Sequence, residues 1–425
     1  MAIWLMQNDQ SPATLTASNA NLAPMFRMRL PFVASLVGAL VVLAFIPANS
    51  ASIAGTNCTK VSSTKKISNI KYTCIKSGKK FVWNKGVKIA PSPTPSKSPK
   101  PTPTPTPTPS YKVIDFTWEN LYENRANISY TVWKRSAEII AANKSKLGTV
   151  EIHTGPNTVQ LFSNVELALT YVSRLFPLSE EPKKVLFVQY NYQDLKWADD
   201  LVKNKISAQE YEDLNRNEGG KLLTSNCRET EKVCNGSKQQ TTASGLALVL
   251  QGVIEKKDLK YFGSPINFTT GLLEAHEYFH AVQRIPVMFK NISKWPKTWF
   301  REGGATWVQN AAINHQNYND YVKFLKTNCD NRCTVLSYSD IERYLETADS
   351  LEVTPGFEQH ENYWLGSLFV ESLIALSGPQ TLMDLYVEVG RGQTFEAAFE
   401  KIYGKTWESA KPIIAKVVYS NLYNQ

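Results

Sequence analysis

The apolar and polar positions predict a chain that opens with alternating strands and helices. Apolar residues recur at helical spacing from Trp118 to Lys146 and from Val165 to Phe176, which predicts two helices. Runs rich in β-branched residues at 149–153, 184–190 and 246–253 predict strands. A strand–helix–strand opening followed by helices predicts a mixed α+β fold.

Residues 205–245 interrupt this pattern. The segment is polar and carries two of the six cysteines, Cys227 and Cys234. We expect it to form a long surface loop.

A third helix is predicted over Leu272–Val282, with a start at Thr269–Gly271 and a stop at Arg284–Pro286. It contains His276-Glu277-Tyr278-Phe279-His280, which matches the motif H-E-x-x-H. Residues at i and i+4 share one helix face, so both imidazoles can bind one metal ion while Glu277 takes a proton from a nearby water. The alternative is a surface helix in which these residue types occur at this spacing by chance.

A catalytic zinc site needs a third protein ligand. Glu302 stands 22 positions beyond His280, in the aromatic-flanked segment Thr298–Trp307. This separation leaves room for one helix to end, a loop to turn and a second helix to pack back.

These motifs together resemble the gluzincin metallopeptidases, in which W-x-x-E-G-x-A-x-W follows H-E-x-x-H. The resemblance covers about residues 245–420. It implies one Zn²⁺ per chain with His276, His280 and Glu302 as ligands, and Glu277 as the general base. It also implies a zincin-like catalytic domain with a small sheet lobe and a helical lobe, and a substrate cleft against the last strand before the zinc helix.

The segment Asn362–Val370 resembles the Y-x-x-G helix start of gluzincin aminopeptidases. That resemblance implies that Tyr363 stabilises an oxyanion, and it places His360 near the metal as a second catalytic candidate.

No G-x-M-E-N segment precedes the zinc helix, so only the general metallopeptidase chemistry carries over. Thr306 stands where thermolysin-like relatives have a carboxylate that orients a ligand histidine. A threonine is a weaker candidate for that role, and an ordinary helix residue is the favoured alternative.

Composition divides the chain into four parts. Residues 1–51 contain an apolar run after Arg27 and Arg29 and predict a signal peptide, or a signal anchor if uncleaved, with Met25 or Met28 as alternative starts. Residues 52–90 form a small basic module with two cysteines. Residues 91–110 form a Pro/Thr-rich linker, and residues 111–425 form the catalytic domain.

The positive charge lies in the front of the chain. Residues 1–110 contain thirteen basic residues and one acidic residue, whereas the whole chain has a net charge of +9. The part from residue 111 onward is therefore slightly acidic. A basic module on an exported chain predicts anionic cell-wall polymers as a partner, with a solubilising segment as the alternative, and it makes nucleic acid a poor partner.

The cysteines occur as three close pairs, Cys58 with Cys74, Cys227 with Cys234, and Cys329 with Cys333. In an exported chain, this arrangement predicts local disulfides. We therefore expect a secreted or cell-wall-associated protein, attached to the membrane only if the signal segment is uncleaved.

The leading hypothesis is an exported zinc metallopeptidase acting on peptide or protein substrates. The alternative is a cell-wall-associated binding protein whose zincin domain is non-catalytic. Retention of Glu277 together with His276, His280 and Glu302 favours the enzyme, because a pure binding protein has no need of the base.

Overall fold

The fold is described from a computed structural model of the chain. The described residues are 52–88, 111–256, 258, 265–288, 290, 295–327, 336–347 and 361–423. They fall into two compact units, residues 52–88 and the residues from 111 onward. The predicted signal segment, the linker, Cys329, Cys333 and His360 lie outside the described residues.

The small unit is a four-stranded antiparallel sheet. Its strands are β1 (Thr64–Ile67), β2 (Ile70–Ser77), β3 (Lys80–Trp83) and β4 (Val87–Lys88). β2 pairs with the other three strands, and Cys58 forms the predicted disulfide with Cys74. Tyr72 and Cys74 are the buried side chains of this unit among its described residues. Such a small core needs a covalent staple to remain folded.

The large unit contains a second sheet, in the order β5-β6-β10-β9. The strands of this unit are β5 (Thr149–Thr154), β6 (Lys184–Tyr190), β7 (Cys227–Arg228), β8 (Val233–Cys234), β9 (Gly236–Thr241) and β10 (Leu246–Gly252). β5, β6 and β10 run parallel, and β9 pairs antiparallel with β10 at the edge. The three predicted strands are thus confirmed. A separate β7–β8 hairpin carries the second predicted disulfide, Cys227–Cys234.

Helices make up most of the large unit, so the mixed α+β class is confirmed. They are α1 (Ile128–Ala142), α2 (Val165–Leu175), α3 (Leu195–Lys205), α4 (Ala208–Asn217), α5 (Pro265–Thr269), α6 (Leu272–Arg284), α7 (Thr298–Ile313), α8 (Tyr318–Thr327), α9 (Tyr338–Thr347), α10 (Glu361–Ser377), α11 (Gln380–Gly390), α12 (Phe395–Tyr403) and α13 (Trp407–Tyr423). No helix within the described ranges is both long and apolar enough to cross a membrane.

The sheet of the large unit is buried on both faces. On β6, Val185 and Phe187 face the main core, which includes residues of α2 and α6, whereas Leu186 and Val188 face a second core with residues of α3 and α4. This alternation follows from the two-residue period of a strand. Parallel strands covered on both faces are continuously apolar, which is why β6 was recognisable in the sequence.

The first predicted helix is shorter than expected. The prediction began at Trp118, but α1 begins at Ile128 after a short 3₁₀ turn. The side chain of Asn120 accepts a hydrogen bond from the Thr117 amide, and Asn124 donates one to the Asn120 carbonyl. Such local side-chain bonds compete with helix formation and explain the later start.

The prediction of a long surface loop over 205–245 was wrong. This region contains α4, which begins with a capping box between Ser207 and Glu210, and the edge strand β9. β9 looks polar because its buried side chains, such as Lys238, pair with other polar groups rather than with an apolar core. β10 is therefore an interior strand, and the sheet edge that follows it is β9.

Two glycines allow α7 and α10 to cross at very short distance. A Cβ atom at Gly303 would lie 2.2 Å from the backbone of Gly366, and one at Gly366 would lie 2.6 Å from the Trp299 carbonyl oxygen. These distances are shorter than any side chain tolerates. The close crossing brings Glu302 on α7 and Tyr363 on α10 into the same region.

Candidate metal centre

Helix α6 carries the H-E-x-x-H motif through the middle of the large unit. It packs against α2, α7 and β9, and eleven of its thirteen residues are buried. The helix follows Gly271, whose φ of 91° lies in the left-handed region, and a Cβ there would lie 2.7 Å from Phe162. Glycine permits both the turn and the close packing. The motif is therefore on a buried helix, and the surface-helix alternative is wrong.

His276, His280 and Glu302 form a buried group whose three ligand atoms face one another. The two Nε2 atoms are 3.1 Å apart. Glu302 Oε2 lies 3.1 Å from Nε2 of His280 and 3.7 Å from Nε2 of His276. The described residues hold no other group of three or more metal-binding side chains. Two imidazoles and a carboxylate at these separations could bind a metal ion.

Burial and charge act in opposite directions on the three residues. Burial lowers the pKa of His276, with the hydrogen bond to Glu302 opposing it. Burial also disfavours the charged form of His280, but the nearby Glu302 carboxylate outweighs burial and raises the His280 pKa. Burial acts to raise the Glu302 pKa, yet the His280 charge holds it well below its usual range. The site thus concentrates a carboxylate charge that a cation can neutralise.

Glu277 provides a second carboxyl group beside this triad. It is buried, and its Oε1 atom has no hydrogen-bond partner among the described residues. Burial raises the pKa of Glu277 to about 7, with His280 acting in the opposite direction. An acid with a pKa near neutrality can both accept and release a proton.

Two glutamine amides hold the imidazole rings. Nδ1–H of His280 donates to Oε1 of Gln283 at 2.7 Å, and Nε2 of Gln283 donates to the Arg301 carbonyl at 3.1 Å. Gln309 on α7 hydrogen-bonds His276. With the proton on Nδ1, the Nε2 lone pair of His280 is directed at the triad. Such outer contacts fix the orientation of metal-binding histidines.

The Glu302 carboxylate is held in a similar way. Nε of Arg301 donates to Oε1 of Glu302 at 3.2 Å, which leaves Oε2 facing the imidazoles. Thr306, considered in the sequence as an orienting residue, does not act on the histidines, because its buried hydroxyl has no hydrogen-bond partner in the described part of the chain.

Tyr363 is the other predicted residue that lies at the site. Its ring centroid is 5.8 Å from that of His276, and burial raises the pKa of its hydroxyl well above 10, so the hydroxyl keeps its proton. His153 contacts Glu151 and His315 contacts the Ala312 carbonyl, away from the triad. His360 lies outside the described residues, so its role stays a prediction.

The sequence predictions did not include Gln283, Gln309 and Arg301. Gln283 stands three positions after His280, on the same helix face, so the helical spacing could have indicated it. Arg301 adjoins Glu302 in the sequence. Gln309 could not be found in this way, because its contact with His276 depends on how α6 and α7 pack.

Comparisons with protein-family models, curated proteins and solved structures found no match for this chain. The described residues supply a buried triad that could bind a metal ion, a buried acid beside it and a half-buried tyrosine against one imidazole.

Proposed function

We propose that residues 111–425 form a zinc-dependent metallopeptidase of the gluzincin type, exported from the cell, with a zincin-like arrangement of sheet and helices. The observation that carries the proposal is the position of Glu277, a buried acid that follows His276 directly on α6, beside a triad that could bind a metal. A site that only stores or binds a metal has no need of this acid.

Zinc suits the three donor atoms. It binds imidazole nitrogen and carboxylate oxygen at about 2.0–2.2 Å, and tetrahedral angles then separate neighbouring ligand atoms by about 3.3 Å. The three separations of 3.1, 3.1 and 3.7 Å lie around this value. With three protein ligands, a fourth position remains for water or substrate, as catalytic zinc sites require.

Glu277 would carry out the proton transfers. When bound, zinc would polarise the scissile carbonyl and lower the pKa of a water molecule to about 7. Glu277 would accept the proton of the attacking water and deliver it to the departing amine. The position of Glu277 supports this assignment, because it adjoins His276 on α6 and both His280 and Glu302 act on its pKa.

Tyr363 would donate a hydrogen bond from its hydroxyl to the developing oxyanion. Its raised pKa supports this role, because the hydroxyl remains a donor at neutral pH. The substrate would lie along the edge strand β9, which packs against α6, instead of the interior strand β10.

The disulfides support export. Cys58–Cys74 and Cys227–Cys234 are both formed, and disulfides persist mainly in oxidising compartments. We therefore propose a secreted or cell-wall-associated protein, with membrane attachment only if the segment 1–51 is uncleaved.

The proposal is tested by incubating the purified protein with a peptide library, with and without a chelator, and analysing the products by mass spectrometry. We expect cleavage that the chelator abolishes and added zinc restores. The variant Glu302→Ala should lose both metal and cleavage. Stoichiometric zinc without any cleavage would instead support the non-catalytic binding protein.

A further inference from the structure

The small unit has an unusual charge. Residues 52–88 contain nine lysines, no arginine and no acidic residue, and all nine lysines are exposed. No ion pair inside this unit can therefore neutralise any of them. Exposed positive charge of this density creates a positive potential that attracts anionic ligands.

The strand register places two of these lysines face to face. Lys66 on β1 is directly opposite Lys71 on β2, and Val87 on β4 is opposite Lys71 on the other side. Directly opposed side chains have Cβ atoms about 4.5–5.5 Å apart, and like charges at this distance are destabilising. The fold thus retains a repulsive pair without an internal compensation.

The side of the sheet that carries Lys66 and Lys71 continues along β2. Residues two apart on a strand share a face, so Lys71, Ile75 and Ser77 lie on one side, and Lys80 stands opposite Ser77. Six residues of strand separate the two ends by about 20 Å. We refer to Lys66, Lys71 and Lys80 as the lysine face. It is opposite to the side on which Tyr72 and Cys74 are buried.

We propose that the lysine face binds a linear polymer that carries repeated phosphate groups. Individual exposed ion pairs are weak and screened by salt, so lysines spread over about 20 Å need a ligand with many charges rather than one small anion. Arginine's planar fork matches carboxylate and phosphate alike, whereas lysine binds phosphate as a point charge without a fixed pairing geometry. With nine lysines and no arginine, residues 52–88 favour a ligand that is bound through its charge density, as a chain of repeated phosphates is.

This proposal is independent of the metal site. It also differs from nucleic-acid binding by single-strand proteins, which use exposed aromatic platforms. In the small unit, Tyr72 is buried and Trp83 is half-buried, and Phe81 is the exposed aromatic side chain among its described residues.

The test measures binding of the full exported chain to long-chain inorganic polyphosphate over a range of salt concentrations. The double variant Lys66→Gln/Lys71→Gln should bind more weakly, with a salt-dependence slope shallower by about 2, or about 1 per lysine. The matched control Lys323→Gln/Lys326→Gln removes two exposed charges from α8 and should bind like the wild type.

Folding of the double variant is checked by mass analysis of the Cys58–Cys74 disulfide, and removal of the repulsive pair should not weaken the unit. Lys80→Gln provides a second variant, with a slope shallower by about 1. No binding at low salt, or equal weakening by the α8 control, contradicts the proposal. Equally tight binding to polyglutamate contradicts the phosphate assignment, and binding to phosphatidylglycerol vesicles but not to polyphosphate identifies a membrane surface instead.

Discussion

At the scale of single residues, neutral amides orient both imidazoles of the candidate metal centre. Oε1 of Gln283 accepts a hydrogen bond from Nδ1–H of His280, and Nε2 of Gln283 donates one to the Arg301 carbonyl. These two bonds define that the amide oxygen of Gln283, and not its nitrogen, faces the His280 ring. The Nε2 atom of His280 is consequently the one available to a metal ion.

We therefore expect Gln283→Leu to weaken metal binding by about 10–100-fold, because the His280 ring loses its orienting acceptor. The dissociation constant for Zn²⁺ is measured by competition with a chromophoric chelator, without any activity assay. As a control, Gln209→Leu changes an exposed glutamine on α4. Unchanged affinity of the Gln283 variant would show that the ring is held in another way.

The residues of the triad were predictable because their spacing reflects local geometry. His276 and His280 are one helical turn apart, and the aromatic-flanked Glu302 stood out in its segment. The contact of Gln309 with His276 was not predictable, since it joins two helices. Buried polar residues that serve a site through tertiary contacts have no periodic signal in a single sequence.

At the scale of elements, the crossing of α7 and α10 positions Glu302 relative to Tyr363. Gly303→Ala places a methyl group 2.2 Å from the Gly366 backbone, so the helices must separate. We expect a loss of about 1–3 kcal/mol in the free energy of unfolding and weaker metal binding. Urea unfolding and metal titration measure the two effects.

The adjacent residue provides a matched control. A Cβ at Gly304 would meet its nearest neighbour, Nε2 of Gln283, at 3.4 Å, which is ordinary contact. Gly304→Ala should therefore be tolerated, because alanine favours a helix over glycine. Equal destabilisation by both variants would mean that the crossing distance is not the cause.

A buried network joins four helices behind the site. Glu371 on α10 accepts hydrogen bonds from Tyr321 on α8 at 2.6 Å and from Ser129 on α1 at 3.0 Å. Trp307 on α7 donates to the Tyr321 hydroxyl. Burial raises the pKa of Glu371 from 4.5 to about 7, with the two hydrogen bonds opposing it.

This shift predicts a pH dependence of stability. Between about pH 4.5 and 7 the folded protein keeps the Glu371 proton, whereas the unfolded chain releases it. The resulting stabilisation is complete below the unfolded pKa and is lost as the pH rises through the folded pKa. Glutamine does not titrate, so the free energy of unfolding of Glu371→Gln should fall less than that of the wild type between pH 5 and 8. The expected difference is on the order of 1–3 kcal/mol.

Urea unfolding at several pH values measures this difference. Glu400→Gln, which changes an exposed residue of α12, should keep the wild-type dependence. Identical pH profiles of Glu371→Gln and the wild type would contradict the assignment of a raised pKa to Glu371.

The sequence predicted those elements in which apolar side chains recur with a single period, that of a strand or that of a helix. β6, β10 and α6 have such patterns, and the structure confirms them. β9 was missed because its buried Lys238 and Gln240 bond another polar group, the carboxylate of Glu218. The start of α1 was misplaced because asparagine side chains stabilise a preceding turn.

At the scale of the whole molecule, the chain combines a cationic unit with a larger, slightly acidic one. The difference in composition was visible in the sequence, and the described residues do form two compact units. Each unit contains its own disulfide, Cys58–Cys74 or Cys227–Cys234. We infer that the small unit determines where the protein is held, and that the large unit carries the chemistry.

The central claim is that Glu277 is the general base of a metallopeptidase. The decisive measurement is the rate of peptide cleavage by Glu277→Gln, with its zinc content determined on the same sample. We expect full zinc content and a fall in kcat on the order of 10²–10⁴, because the substitution keeps the size of the side chain but removes its basicity.

Glu274→Gln is the matched control for that measurement. It changes another buried acid of α6, whose Oε1 accepts a hydrogen bond from Gln251 on β10 at 2.9 Å. We expect this variant to keep most of the wild-type rate. Wild-type cleavage by Glu277→Gln, or equal losses in the two variants at full zinc occupancy, would contradict the assignment of Glu277 as the base.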